Sequence, residues 1–223
     1  MKNIQKAFTL AEALIAIAII GVVAAITIPN LVRDNQKKIA AATLGKAIEQ
    51  VQNGCQNMIQ FDNEAADGPS HNDKIAYVNN GDFLAENKGI GGYIGAKIQS
   101  GTQKTLKKYA NDGDANLEVW KNSTKRYRFS KLNAEIGFLK NNNLKDAEEE
   151  KLDSKVADVY INVNPNAGTG SYEPKLGKDV FLYEMQNSCR LIPVGIDNPD
   201  ACPGDGGTNC AARIVKDGYK ITY

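Results

Sequence analysis

One carboxylate stands alone in the apolar start of the chain. Glu12 is the single charged residue between Phe8 and Ile28. A carboxylate inside a membrane-spanning helix costs about 2.5 to 3.5 kcal/mol on insertion scales, so its presence there indicates a function. The chemistry that suits it is pairing with a cation, and this stretch offers no partner of that kind. We therefore expect the partner of Glu12 to come from outside its own helix.

The length of this apolar stretch predicts a membrane span. About 21 residues that rise 1.5 Å each make a helix of about 30 Å, the thickness of a bilayer's hydrocarbon core. A cleaved secretory signal is the alternative, because Lys2 and Lys6 form a basic amino-terminal region. Such a signal has a shorter apolar core that ends at a small-residue cleavage site, whereas this stretch continues into TIPNLVRDNQ. The sequence favours a membrane-spanning helix that stays in the mature protein over a cleaved signal peptide or a buried core helix.

The residues KAFTLAEALIAIAIIG, from Lys6 to Gly21, resemble the amino-terminal signature of type IV pilins and type II secretion pseudopilins. In that family a short basic leader is cut on the cytoplasmic side before a Phe, the new amine is methylated, and an acid follows four residues later. The resemblance implies a cut between Ala7 and Phe8, although the family usually has Gly where this chain has Ala7. It also supplies a cation, since the new ammonium of Phe8 can neutralise Glu12 of a neighbouring subunit.

The resemblance further implies partners and a location. The partners are a prepilin peptidase, the assembly machinery of the inner membrane, and further copies or other pseudopilins in a filament. The location is the bacterial inner (cytoplasmic) membrane, crossed once, with the globular domain outside the cytoplasm and in a filament after assembly. Charge alone does not orient the span, because basic residues flank it on both sides. The net charge of +1 gives no argument for nucleic acid as a partner.

Four cysteines indicate an exported, oxidised domain, because no C-x-x-C spacing suggests zinc or a redox motif. Cys202 and Cys210 flank a short loop rich in Pro and Gly that can fold back, so we expect them to pair. Cys55 and Cys189 are then the remaining pair. Connectivity cannot be fixed from sequence, and other pairings stay open.

After the span, apolar residues resume at helical spacing and predict one continuous apolar face on a helix. They are Leu44, Ile48, Val51, Cys55 and Met58. We expect this second half of a long helix to lie on a soluble domain. Gly21 and Pro29 bracket the junction between the two halves, and both residue types form helices poorly. Because the corresponding stretch is thought to unwind in filaments of the family, they are the candidate hinge; tolerated irregularities in a span are the competing interpretation.

These features divide the chain into four parts. They are a leader at residues 1–7, a transmembrane and assembly helix at 8–28, its continuation at 29–59, and an exported globular domain at 60–223. We expect loops from about Gln60 to Asp114 and one or two helical turns at Cys210–Lys216, stopped by Gly218.

Strand patterns predict the remaining secondary structure, since several stretches alternate apolar and polar residues. The predicted strands are Leu117–Trp120, Tyr127–Leu132, Ile136–Leu139, Val156–Val163 and Val180–Met185. A helix whose apolar face is covered by an antiparallel sheet is an α+β layer arrangement, and pilin-like proteins have it. We therefore predict a pilin-like α+β fold.

Three patterns suggest ligand binding. The run GIGGYIG, Gly89–Gly95, departs from G-x-G-x-x-G at the last glycine, so we expect a glycine-rich loop. The run DGDANLE, Asp112–Glu118, lacks the later Gly and Glu of a calcium loop, so a solvated turn is favoured. Further oxygen donors fall in predicted loops: Asp158, Asn162, Asn164, Asp179, Asp197, Asp200 and Asp205. We expect no cofactor, and calcium stays an alternative because some pseudopilins bind it in such loops.

A separate pattern mixes cations with Tyr127 and Phe129, as surfaces that hold single-stranded nucleic acid do. The cations are Lys121, Lys125, Arg126, Arg128 and Lys131. Alternation of aromatic and basic residues is also what a half-buried strand requires, and we expect a strand. His71 is the only histidine, so a metal centre built on several His ligands is excluded, and no nucleophile elbow or other catalytic set is seen. We expect a structural protein and no enzyme.

The leading hypothesis is a subunit of a type II secretion pseudopilus or a related filament. The alternative in the same class is a type IV pilin for adhesion, motility or DNA uptake. An anchored binding domain that never polymerises, or an anchored enzyme, belongs to another class. Processing at Ala7 separates the filament hypotheses from the anchored domain, and a surface filament separates pilus from pseudopilus.

Overall fold

The computed structural model of the 223-residue chain describes residues 9–65, 90–98, 125–140, 155–164, 175–186, 188–202 and 207–223. The chain forms two compact units, and it passes from the first to the second between Ile39 and Ala40.

The first element is a long helix, α1, which runs from Leu10 to Ala65 over 56 residues and has Pro29 inside it. Its end lies beyond residue 59, where we expected loop structure to begin. The added turns, in the sequence QFDNEA, carry little apolar periodicity, so the pattern that predicts the rest of α1 gives no signal there.

The second unit contains a six-stranded sheet in which every strand pairs antiparallel with the next one along the chain. The strands are β1 (Ala96–Ile98), β2 (Lys125–Phe129), β3 (Glu135–Lys140), β4 (Lys155–Asn162), β5 (Val180–Gln186) and β6 (Leu191–Pro193). Helix followed by antiparallel sheet is the predicted α+β pilin-like arrangement, which is confirmed. The predicted strand at Leu117–Trp120 lies outside the described residues. Strand β1 and the helical turn Ile90–Tyr93 both fall where loops were predicted, so that expectation was wrong at these residues.

The described part of the unit also contains three short helices. They are α2 (Ile90–Tyr93), a 3-10 turn (Pro199–Ala201) and α3 (Cys210–Lys216). Helix α3 has the predicted bounds. It ends in a Schellman motif, in which the Tyr219 amide donates to the Ile214 carbonyl at 2.8 Å and the Gly218 amide to the Val215 carbonyl at 3.1 Å. Gly218 has φ of 68°, the conformation that makes it an effective stop.

The core lies between the second half of α1 and one face of the sheet. All five residues of the predicted stripe are buried, and Ala41 and Ala47 extend it. They share one cluster with alternate residues of the strands, including Tyr127, Ile136, Val159, Phe181 and Tyr183. Burying a large apolar side chain stabilises the fold by about 1.5 to 3 kcal/mol, so this stripe holds α1 on the sheet. Tyr127 and Phe129 are buried while Arg126 and Arg128 are partly exposed, as a half-buried strand requires.

Glycines let neighbouring elements approach closely. A Cβ at Gly54 of α1 would collide with Ile94, and one at Gly91 of α2 would collide with the ring of Tyr127. The Gln50 side chain also donates a 2.6 Å hydrogen bond to the Ile94 carbonyl. The run Gly89–Gly95, predicted to be a glycine-rich loop, therefore contains a helical turn packed between α1 and β2. Gly91 of this run and Gly54 of α1 leave out side chains that this packing has no room for.

The other face of the sheet holds a buried polar pair. Tyr160 of β4 lies opposite Gly137 of β3, and its ring occupies the space that a side chain at Gly137 would fill. The Tyr160 hydroxyl donates a 3.0 Å hydrogen bond to Oε1 of Glu135, which is 7% exposed. Arg126 Nη1 lies 3.8 Å from the same carboxylate oxygen and balances its charge. A buried carboxylate is tolerated only with such partners.

Candidate functional site

The start of α1 is closed by reciprocal hydrogen bonds between Thr9 and Glu12. The Thr9 amide and the Thr9 hydroxyl each donate to Glu12 Oε2 at 2.8 Å. In return, the Glu12 amide donates to Thr9 Oγ1 at 3.2 Å. This is a capping box, in which Thr9 is the N-cap and Glu12 the third residue of the helix. It satisfies amide groups that the first turn of any helix leaves without a partner.

The capping box gives Glu12 a local partner that we did not predict. Thr9 is uncharged, so the expectation that a cation from outside the helix pairs with Glu12 stays a prediction. The spacing T-x-x-E before an apolar run is a recognised sign of a helix start, so the sequence contains this signal. Thr9 is neutral, however, and the box uses only one carboxylate oxygen, Oε2. Among the residues that the structure describes, the Glu12 carboxylate is therefore hydrogen-bonded by uncharged donors only.

The predicted processing site adjoins the box. Ala7 and Phe8 lie outside the described residues, so the cut between them stays a prediction from the sequence. The Thr9 amide nitrogen belongs to the peptide bond with Phe8, which a cut before Phe8 leaves intact. Processing would therefore preserve all three hydrogen bonds of the box and place a new ammonium one residue before it.

The first part of α1 presents an uncovered apolar surface. An 18-residue window in the helix Leu10–Gln60 has a mean hydropathy of 2.5 and is not buried by the rest of the chain. The exposed apolar side chains include Leu10, Leu14, Ile15, Ile17, Ile19, Ile20, Val22, Val23, Ile26, Ile28, Leu31 and Val32. By length and composition this helix can cross a membrane, which is consistent with a protein anchored by a single span. Glu12 lies at its head.

Both candidate hinge residues lie inside α1. Gly21 has no atom within 4 Å of where a Cβ would stand, so packing within the chain does not require a glycine there. Beside Pro29, Thr27 Oγ1 donates to the Val23 carbonyl at 2.8 Å and Asn30 Nδ2 to the Ile26 carbonyl at 3.3 Å. The segment is helical in this structure, and its unwinding in a filament stays a prediction.

Two disulfides tie the second unit together. One joins Cys55 of α1 to Cys189 in the turn between β5 and β6, across 134 positions of the chain. The other joins Cys202 to Cys210 at the start of α3. These are the two pairs suggested by loop length and elimination. Both suit a domain outside the reducing cytoplasm.

The described oxygen donors that were considered for calcium do not converge on one metal site. Asn162, Asn164 and Asp179 are close together, but they hydrogen-bond to the backbone and to one another: Asn162 Oδ1 accepts from the Asn164 amide at 2.9 Å, and Asp179 Oδ2 from the Lys175 amide at 2.9 Å. Among the described residues no group of three or more acidic, His or Cys side chains is placed to hold a metal ion. Asp205, the run Asp112–Glu118 and His71 lie outside the described residues.

Asp158 and Asp200 are held by cations instead. Lys155 Nζ lies 2.7 Å from Asp158 Oδ1 and 2.8 Å from Glu184 Oε1. Asp200, in the 3-10 turn, contacts Lys216 Nζ at 2.6 Å and Arg213 Nη1 at 2.8 Å, which joins this turn to α3. The Lys216 hydrogen bond is the main reason that the pKa of Asp200 lies below its usual value. These ion pairs connect the 3-10 turn to the carboxyl-terminal helix. Asp197, which precedes the turn, is exposed.

Comparison with known proteins now decides what the start of the chain is. Residues 2–28 match the family model described as the prokaryotic N-terminal methylation motif. The segment is a prepilin-type signature. This signature is shared by type IV pilins and pseudopilins. It supports the conclusion that the chain is a type IV pilin-like protein that is processed as a prepilin. Pilin-like families are structural. No curated protein and no solved structure is significantly similar to this chain.

Proposed function

We propose that this prepilin-like protein is a structural subunit of a type II secretion pseudopilus or a related filament. The observation that carries the proposal is the methylation motif at residues 2–28, followed by an apolar helix surface that the chain does not bury. A surface of this size needs lipid or other apolar helices to cover it. In the membrane lipid covers it, and in a filament neighbouring copies of α1 do.

The charge of the Glu12 carboxylate sets the register between neighbouring subunits in this assembly. The capping box fixes its position relative to the helix axis and leaves its charge in place. After processing, the ammonium of Phe8 on an adjacent subunit supplies the opposite charge. Two unit charges 4 Å apart attract by about 4 kcal/mol at an effective dielectric constant of 20, enough to favour one register between subunits.

The second unit, Ala40–Tyr223, has features of a domain that lies outside the cytoplasm. Its two disulfides favour an oxidising compartment, which supports a single span with the leader in the cytoplasm. The implied partners are a prepilin peptidase, the assembly machinery of the inner membrane, and further subunits. A type IV pilin for adhesion, motility or DNA uptake is the second candidate, since the same motif serves both classes.

Deletion of the gene in the native host separates these candidates. We expect loss of secretion of folded exported proteins, with surface pili unchanged, and restoration by the wild-type chain. Loss of surface pili with normal secretion would assign a pilin instead. If neither changes, and if cross-linking of the processed protein in membranes yields monomers alone, the chain is an anchored domain that does not polymerise.

A further inference from the structure

The contact between α1 and the sheet depends on apolar packing. The buried stripe from Leu44 to Met58 meets apolar side chains of the strands, and such packing has no preferred direction. The strands themselves are joined by backbone hydrogen bonds, and α1 takes no place in that ladder. A pull along the axis of α1 therefore meets less directional resistance than a pull across the strands.

The Cys55–Cys189 disulfide is placed where it resists this movement. Cys55 is fully buried within the stripe, and Cys189, which follows β5, is 1% exposed. Two backbone hydrogen bonds hold the ends of the connection between β5 and β6 together. The Cys189 amide donates to the Gln186 carbonyl at 2.9 Å, and the Gln186 amide donates to the Arg190 carbonyl at 2.9 Å. The covalent link thus runs from the helix to a residue that is hydrogen-bonded to the end of β5.

The strand that receives this link is well anchored. Strand β5 pairs with β4 along its whole length and with β6 on its other side. Force that arrives at Cys189 is therefore spread over two backbone ladders. The Cys202–Cys210 disulfide differs, because it closes a sequence separation of 8 and does not include α1.

We infer that the Cys55–Cys189 disulfide is a mechanical brace that transfers axial load from α1 to the sheet. The inference rests on the proposed function, since a filament held together by its amino-terminal helices loads each subunit through α1. The brace keeps the helix from sliding along the sheet when the filament is pulled.

Single-molecule pulling tests the brace without a filament. The full mature chain is held in a detergent micelle. One pulling handle is attached before α1, and the other is attached through a clickable amino acid that replaces Lys97, an exposed residue of β1. The background Cys202→Ala/Cys210→Ala leaves Cys55–Cys189 as the single disulfide. We expect the force that separates α1 from the sheet to fall when this disulfide is reduced on the same molecule. Equal forces before and after reduction would overturn the brace, whatever the chain assembles into.

Filaments give the second test. We expect Cys55→Ala/Cys189→Ala filaments to form and then to break at lower shear than wild-type filaments, while Cys202→Ala/Cys210→Ala filaments break as wild type does. Circular dichroism and protease resistance establish that each variant is folded at rest. Equal shear resistance of the two folded double variants would contradict the inference. Absence of wild-type filaments would refute the proposed function, and the pulling experiment would then still decide the mechanical role of the disulfide.

Discussion

Thr9 and Glu12 bind each other in both directions, and the Thr9 amide lies 2.8 Å from the carboxylate oxygen that accepts from it. The carboxylate therefore has two separable properties: it caps its own helix, and it carries a charge. Glutamine can also occupy the third position of a capping box. Substitution to Gln thus keeps the cap and removes the charge, whereas substitution of Thr9 does the reverse.

Glu12→Gln should leave the protein inserted and the soluble unit folded, yet reduce assembly sharply. The variant lacks the countercharge for Phe8 of the neighbouring subunit, and loss of one member of a buried ion pair costs about 3 to 5 kcal/mol. Glu12→Ala should assemble no better, because it loses the cap as well. The measurement compares sheared or cross-linked filaments at matched membrane levels. Normal polymers from Glu12→Gln would show that the charge is not the assembly signal.

Thr9→Val should weaken the start of α1 and have a smaller effect on assembly than Glu12→Gln. Loss of an N-cap costs about 0.5 to 2 kcal/mol, and the Glu12 charge remains. Helix content of the isolated amino-terminal segment in micelles measures the cap, and filament yield measures assembly. If Thr9→Val abolished filaments while Glu12→Gln did not, the cap and not the charge would be the essential property.

The mature chain should begin with methylated Phe8. The matched residues 2–28 motivate this prediction, and the cut removes Lys2 and Lys6 from the membrane-proximal end. Mass spectrometry of protein from the native host should find this terminus. Ala7→Gly, which restores the residue usual in the family, should be processed at least as completely. An intact Met1, or a cut near Asn30, would refute the prediction.

Gly137→Ala should destabilise the second unit. A Cβ there collides with the ring of Tyr160, and overpacking a core typically costs about 1 to 3 kcal/mol. Gly45→Ala is the matched control, since its Cβ would lie an ordinary 3.7 Å from Tyr219 within a helix. Replacing a helical Gly by Ala typically gains about 0.5 to 1 kcal/mol, so this control should raise the melting temperature. A melting temperature for Gly137→Ala equal to that of wild type would mean that Tyr160 can move aside.

The carboxyl-terminal helix should lose stability in acid through Asp217. Hydrogen bonds from Thr222 and then Arg213 hold the pKa of this carboxyl below its usual value. A group whose pKa is lowered by folding stabilises the folded state above its unfolded pKa, near 3.9, and loses that contribution as pH falls through the folded pKa. Asp217→Asn should therefore melt below wild type at neutral pH, and the gap should close below about pH 4. Asp197→Asn, at an exposed carboxylate, is the control; a gap that persisted in acid would exclude titration of Asp217 as its cause.

The features that sequence predicted are those with a repeating pattern. The stripe from Leu44 to Met58 could be predicted because one face of α1 meets one layer of strands, which imposes a helical period on apolar residues. Alternation predicted β2 to β5 for the same reason. The helix start at Thr9 also has a local signal, T-x-x-E, because a capping box requires these residue types at this spacing.

Other features depend on neighbours that are distant in the chain. Strand β1 has three residues and is defined by pairing with β2, so no period marks it. Gly54, Gly91 and Gly137 look like flexible positions in sequence, yet each is required by a side chain from another element. Their role depends on tertiary packing, which local patterns do not contain.

The order of the strands has a consequence for the time course of synthesis. Because each strand pairs with its successor, the sheet can grow as the chain is made, one hairpin after another. Helix α1 is made first, but the residues that cover its stripe extend to β6 and α3, and Cys55 waits through 134 further positions for Cys189. The nascent protein therefore carries an open apolar stripe and an unpaired thiol for most of its translation. A chaperone that protects this chain has a defined stretch to hold, from Leu44 to Met58.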